Sequence, residues 1–283
     1  MTLSSRHSLL VVTILLIVIV LTIFFWQDMV IRKESDYHEL RYQVDISAQS
    51  ALENITLLLP VPFIHNNSLP GEALVKGEGY GVPPDWRLSL AYVNDTPLLK
   101  IFAATIVPEY HGYPIPIEPG STPIRTPPPT ATAYSNETPV LIPLEFGISQ
   151  RVPRSIDTQN PFDREPLLSY PELLQPIPCK DPSLPERCYY YIAPIYAQYS
   201  SSEAGILTIS ISNGGMNQWW LGGWSGNSDE ETIEVTLENN QQGWIQGKGF
   251  LSTGSGRYEM TGHGMHGMSH CSFSGLRQFQ EDQ

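Results

Sequence analysis

Leu207-Thr-Ile-Ser-Ile-Ser212 and Thr232-Ile-Glu-Val-Thr-Leu-Glu238 decide the reading of this chain. Both alternate apolar and polar residues with a period of two, which in a strand sends one set inward and the other toward water. Leu207, Ile209 and Ile211 share one face; Ile233, Val235 and Leu237 share another. Working outward, Asn239-Asn-Gln-Gln-Gly243 has the composition of a hairpin loop, with Trp244 to Leu251 as the returning strand. Asn213-Gly-Gly215 and Thr253-Gly-Ser-Gly256 signal sharp turns.

The same period runs earlier in the chain. Tyr42, Val44 and Ile46 alternate with Gln43 and Asp45, and Asn54 to Leu59 reads as a partner strand closed by Pro60-Val-Pro62. Arg87–Val93 and Leu98–Val107 flank Asn94-Asp-Thr-Pro97, whose residues favour a turn, so a hairpin is expected there. Eighteen of the 25 prolines fall between Pro108 and Pro185, and proline removes a backbone donor and disfavours helix before it. That region is expected to be extended and irregular, with one good strand at Val140 to Phe146. The expected fold is mainly β: an N-terminal transmembrane helix, then an antiparallel β-sandwich with a long proline-rich excursion.

The transmembrane expectation rests on Leu9 to Trp26, a charge-free run of mostly Leu, Ile, Val and Phe. At 1.5 Å per residue it makes a helix of roughly 27 Å, close to the thickness of a bilayer's apolar core. It exits through Trp26-Gln-Asp-Met29, with no small residues to suit a signal peptidase. The expected order is a tail at 1–8, a span at 9–26, a stalk at 27–38 and an ectodomain at 39–275. The excursion at 108–187 lies within it, and a Gly/His/Met-rich tail at 260–283 overlaps its end. The expected location is the cell membrane, single-pass, with the bulk of the chain outside the cytoplasm and membrane lipid as its first partner. Sequons at Asn54, Asn66, Asn94 and Asn136 are expected glycosylation sites and favour that orientation. Charge alone does not choose, because Arg6 precedes the run while Arg32 and Lys33 follow it.

The pairing of the Tyr42-x-Val44-x-Ile46 strand with Asn54-Ile-Thr-Leu-Leu-Leu-Pro-Val-Pro62, behind a single apolar span, resembles uncharacterised surface proteins of methanogenic archaea. The resemblance covers residues 9–105. It implies a surface location and brings no activity and no site residues.

A net charge of −13 excludes nucleic acid as a natural partner, since phosphates would be repelled. Cys179 and Cys188 bracket a short polar segment with two prolines and are expected to form a disulfide; Cys271 is left over. Enzyme signatures are missing: Gly223-Trp-Ser-Gly-Asn227 departs from the nucleophile elbow at its last position, and neither an H-E-x-x-H motif nor a phosphate-binding loop occurs. Gly77, Gly79 and Gly81 read as a turn.

Three chemistry-bearing groups remain. His263, Met265, His266, Met268, His270 and Cys271 crowd imidazole, thioether and thiol into one segment, the ligand set of copper first and zinc second. Trp219, Trp220, Trp224 and Trp244 offer flat faces for stacking on sugars. Asn227-Ser-Asp-Glu-Glu231 reads as an acidic loop that could hold calcium, without EF-hand spacing. The functional expectation is a structural or interaction role in the cell envelope, with an envelope protein or glycan as partner. Its alternatives are soft-metal binding through the C-terminal cluster and glycan binding through exposed Trp.

Overall fold

The computed structural model describes residues 5–114, 134–181, 186–201, 203, 205–220, 223–238 and 241–258. The chain is mainly antiparallel β. Helix α1 (Ser5–Ser35) leads into β1 (Tyr37–Ala48) and β2 (Leu52–Pro60). After a short helix, α2 (Leu69–Val75), come β3 (Arg87–Val93), β4 (Thr96–Ile106), β5 (Glu109–Pro114), β6 (Tyr134–Ile142) and β7 (Leu144–Arg151). The remaining strands are β8 (Gln175–Ile177), β9 (Arg187–Ser201), β10 (Leu207–Trp220), β11 (Trp224–Leu237) and β12 (Gly243–Gly256).

These strands do not divide into the two facing layers of a sandwich. One ten-stranded sheet runs in the order β3-β4-β2-β9-β12-β11-β10-β1-β7, with β8 added to β9 and β5-β6 forming a separate ribbon. The sheet curls into a half-barrel. Its inner face carries the core: Tyr42, Val44 and Ile46 of β1, Ile55, Leu57 and Leu59 of β2, and Ile209, Ile211, Ile233 and Val235 of β10 and β11 are all buried. Alternation predicts the β1, β10 and β11 sets correctly; β2 is the strand expected at 54–59, but it pairs with β4 and β9 and not with β1. It does not predict that one sheet would bend round to pack against itself.

Three local features let the sheet curl. Asn94 and Asp95 have φ of 49° and 64°, giving β3 and β4 a tight two-residue turn whose twist suits a hairpin. Register shifts interrupt β2 between Glu53 and Thr56 and β11 between Ser228 and Glu230; such bulges sharpen strand bending. Glycines on inward positions of β12 make room for a large ring. A Cβ on Gly249 would overlap the Tyr191 ring from β9.

The two edge strands, β3 and β7, do not pair with each other. Helix α2 touches both. It is opened by Ser68, whose hydroxyl accepts the Gly71 N–H at 3.0 Å and donates to the Pro62 carbonyl at 2.7 Å. Tyr80 exchanges two backbone bonds with Gly147, capping the free edge of β7.

The N-terminal expectation is corrected. Residues 9–26 lie in α1, which continues as one helix through most of the expected stalk at 27–38. Among the described residues, however, no helix is long and apolar enough to cross a membrane. The single-pass anchor, and the cell-membrane location built on it, are therefore not sustained. The apolar side chains of α1 stand exposed, and its end is tied to the sheet by the Trp220 N–H donating to Ser35 Oγ at 2.9 Å.

Two predicted turns are strand instead. Asn213-Gly-Gly215 lies inside β10, and Thr253-Gly-Ser-Gly256 forms the end of β12. The proline-rich region holds β5 to β8 and a long irregular return between β7 and β8, residues 152–174. Replacing Gly249 by Ala should destabilise the fold by about 1–3 kcal/mol through overpacking against Tyr191, with no change in the denaturant slope. Urea unfolding of the two proteins measures it.

Candidate functional site

The inner face changes character toward one end of the half-barrel. Up to Ile211 on β10 and from Ile233 on β11 the inward residues are apolar; beyond them the inward set becomes Asn213, Gly215 and Asn217, opposite Asn227, Asp229 and Glu231. The acidic run expected to be a loop is thus strand β11, and its alternation buries Asn227, Asp229 and Glu231 while leaving Glu230 outside. Residues 154–168 cross this polar end as a strap.

The strap is held chiefly by its backbone. Asn217 Oδ1 accepts the Ile156 N–H at 2.9 Å, and Asn217 Nδ2 donates to the Ile156 carbonyl at 2.8 Å. Gly254 N donates to the Thr158 carbonyl at 2.8 Å, and Asn213 Nδ2 to the Pro166 carbonyl at 3.0 Å. Glu231 Oε2 accepts the Leu168 N–H at 2.7 Å and the Asn213 amide at 3.2 Å. Thr158 Oγ1 donates to Asn227 Oδ1 at 2.8 Å. His38 Nδ1 of β1 reaches Asn217 Oδ1 at 2.8 Å, anchoring the hub from the other side.

Glycine provides the seat. A Cβ on Gly215 would come within 2.5 Å of the Ile156 side chain and 2.9 Å of Asp229 Oδ1. The strap is braced internally by Arg154, whose guanidinium grips both oxygens of Glu165 at 2.6 and 2.8 Å. Glu165 is buried, and its Oε1 also accepts the Asp157 N–H at 2.9 Å.

Among the described residues Asp229 and Glu231 have no such cation. Burial raises Glu231 to about 7, against the opposing pull of the Leu168 N–H, the nearby Tyr191 hydroxyl and the Asn213 amide. Burial, then the Glu231 charge, holds Asp229 well above the usual carboxylate range, although the Gly215 N–H pulls the other way. Glu231 Oε1, the Tyr191 hydroxyl and Thr253 Oγ1 are buried without a formed hydrogen bond. Burial also raises Tyr258 to about 12, partly offset by its bond to Thr158.

A second surface lies on the opposite, convex face. The outward residues of β9 and β12 pair as Tyr190 with Phe250, Ile192 with Lys248, Pro194 with Gln246, and Tyr196 with Trp244. The two aromatic pairs meet edge to face at 5.4 Å each. Trp244 is 51% exposed and Phe250 46%. Residues 191–195 of β9 pair with β12 alone, because β2 stops at Tyr196 and β8 starts at Tyr190; Pro194, lacking an N–H, is tolerated in that gap. A cleft of about 480 Å³ opens there, lined by Asn94, Thr96, Leu98, Pro194, Trp244 and Gln246 among others.

The expected site residues are distributed unevenly over these features. Trp219 is buried, so it has no free face; Trp220 and Trp224 are outward, meeting edge to face at 5.7 Å beside the end of α1. Asn54, Asn66 and Asn94 are exposed at left-handed backbone positions, and Asn136 lies on β6. Asn94 borders the convex cleft. Cys179 and Cys188 are joined by a disulfide, Cα–Cα 5.2 Å, tying the segment after β8 to the start of β9. His263, Met265, His266, Met268, His270 and Cys271 fall outside the described residues, so the copper and zinc expectation has no geometry. Among the described residues no group of three or more His, Cys, Asp or Glu is placed to hold a metal ion.

No family model, curated protein or solved structure matches this chain. The class that fold and surface define is a half-barrel of one curled antiparallel sheet with a strapped polar end and an aromatic convex stripe.

Replacing Asn217 by Ala should leave both main-chain groups of Ile156 buried without partners and cost about 1–3 kcal/mol. Chemical denaturation measures the loss. Hydrogen exchange of residues 154–158 should increase more than that of β1 or β2.

Proposed function

We propose that this chain is an interaction module of structural rather than catalytic character, which binds a glycan across its convex face. The observation that carries this reading is the pair of exposed aromatic steps, Tyr190–Phe250 and Tyr196–Trp244, on adjacent strands. Trp244 and Phe250 are six residues apart on β12, so the steps are separated by roughly 20 Å. Lys248, Gln246 and Gln198 stand exposed on the same face. Ring faces take the C–H faces of pyranose rings, and flanking amide and ammonium groups take hydroxyls. A polymer of sugars presents both chemistries repeatedly, which suits a platform repeated at this distance. Trp220 and Trp224 form a single step and support a shorter contact.

The test is affinity electrophoresis against a panel of soluble neutral and acidic polysaccharides. Wild type should be retarded by at least one of them. Trp244→Ala combined with Phe250→Ala should weaken retardation at least tenfold, equivalent to about 1.4 kcal/mol, while Trp224→Ala should retain it. No retardation of wild type by any polysaccharide, or equal retardation of the double variant, would reject the glycan reading. A protein partner captured only by the intact aromatic stripe, without sugar binding, would likewise replace it.

A further inference from the structure

We propose that residues 154–168 are a releasable strap over the polar end of the half-barrel, and that the Glu231 carboxyl is its proton-controlled latch. This goes beyond glycan binding on the convex face and does not depend on it.

The geometry supplies both a part that can move and a group that controls it. Residues 152–174 contain no strand of the main sheet, and 154–168 cross its inner face by point contacts: Ile156 on Asn217, Thr158 on Gly254, Asn227 and Tyr258, Pro166 on Asn213, Leu167 on Phe63 through a two-bond bridge, and Leu168 on Glu231. Of the strap's partners only Glu231 and Tyr258 titrate, and Tyr258 is raised to about 12. Glu231 is fully buried, with Oε2 accepting two N–H donors and Oε1 facing no formed bond. A neutral carboxyl fits this arrangement: Oε2 serves as the carbonyl oxygen, and the proton on Oε1 is available to the nearby Tyr191 hydroxyl, itself unpartnered. Among the described residues an ionised carboxyl leaves charge buried with no cation opposite: of the strap's two guanidiniums, Arg154 is committed to Glu165 and Arg164 is exposed.

Other titratable groups face this end from each packed element. They are Asp229 beside Glu231 on β11, Tyr191 on β9, Tyr258 after β12, His38 on β1, and Arg154, Asp157 and Glu165 on the strap. Asp229 is raised in the same direction as Glu231, chiefly by burial, but it accepts the Gly215 N–H of β10, whereas Glu231 holds the strap's Leu168 N–H, so the latch is Glu231.

The direction follows from linkage. Glu231 is raised to about 7 with the strap closed, from 4.5 when free in water. Closure therefore takes up a proton between those values, and the closed state is favoured at acid pH and weakened as pH rises through about 7. Opening should increase by up to tenfold per pH unit across that window and level off above it, a few hundred-fold in all.

The experiment is hydrogen exchange with mass spectrometry on the full chain at pH 5.0, 6.0, 7.0 and 8.0, each corrected for the intrinsic exchange rate. Peptides covering 154–168 should lose at least thirtyfold in protection from pH 5.0 to 8.0, while peptides from β10 and β11 keep theirs. Glu231→Gln, neutral at every pH, should abolish this slope. Gly215→Ala, which crowds Ile156, should lower strap protection at every pH but keep the slope, and it carries the test if the glutamine variant does not fold. Strap protection independent of pH in wild type would overturn the proposal. So would a wild-type slope that persists in Glu231→Gln, or one matched by β10 and β11, which would signal unfolding of the whole sheet.

Discussion

A sheet that curls without closing has an inner face that nothing covers by symmetry, and much of this architecture answers that constraint. A closed barrel covers its interior by its own strands, and a sandwich does so with a second layer. Here β3 and β7 end the strand order unpaired. The gap is met by α2, which touches both edges, and by Tyr80, which caps β7. The far end of the inner face is covered by the chain's own residues 154–168.

Covering a sheet with irregular chain brings a second difficulty: such a segment carries backbone groups that the ladder does not satisfy. The inner face meets it by becoming polar where the strap lies. Asn217 takes both main-chain groups of Ile156, as a neighbouring strand would, and Asn213 and Gly254 accommodate further carbonyls. Glycine at 215 lets the strap's side chain approach the sheet. The cost is an interior holding two carboxyl groups, Asp229 and Glu231, far from their ordinary titration range. Convex and concave faces therefore differ in kind: one offers exposed rings, the other buried protonatable groups beneath a strap.

Much of the fold was legible locally. The alternations at 42–46, 207–212 and 232–238 each correspond to strands with the expected inward set, and Asn94-Asp95 forms the expected tight turn; 54–59 is a strand as well, but it pairs with β4 and β9 and not with β1 as expected. The acidic run was partly legible too. The inward register of Ile233, Val235 and Leu237, extended backward, falls on Glu231, Asp229 and Asn227, but carboxylates on a buried register look like a loop until something is seen to cover them. Asn213-Gly-Gly215 misleads for a related reason. Glycine pairs signal turns within a segment, whereas here Gly215 serves the approach of Ile156, which lies more than fifty residues away in the chain, and Gly214 sits close against the Asp229 backbone. Trp219 and Trp220 illustrate what period alone can decide: one of two adjacent strand residues must face inward, but which does so depends on the partner strands.

By itself, then, the sequence determined the strand periodicity, the antiparallel β character, the Asn94-Asp95 turn and the net acidity, because these depend on neighbouring residues and on composition. Tertiary structure decided the rest: one curled sheet instead of two layers, a helix that does not qualify as a membrane span among the described residues, and a proline-rich return used as a strap. It also decided that Asp229 and Glu231 are buried and that Trp244 and Phe250 are not. The physical reason is that side-chain alternation specifies two faces of each strand but says nothing about strand order. Order alone determines which face is enclosed, which distant backbone must be satisfied there, and which carboxyl group loses its water.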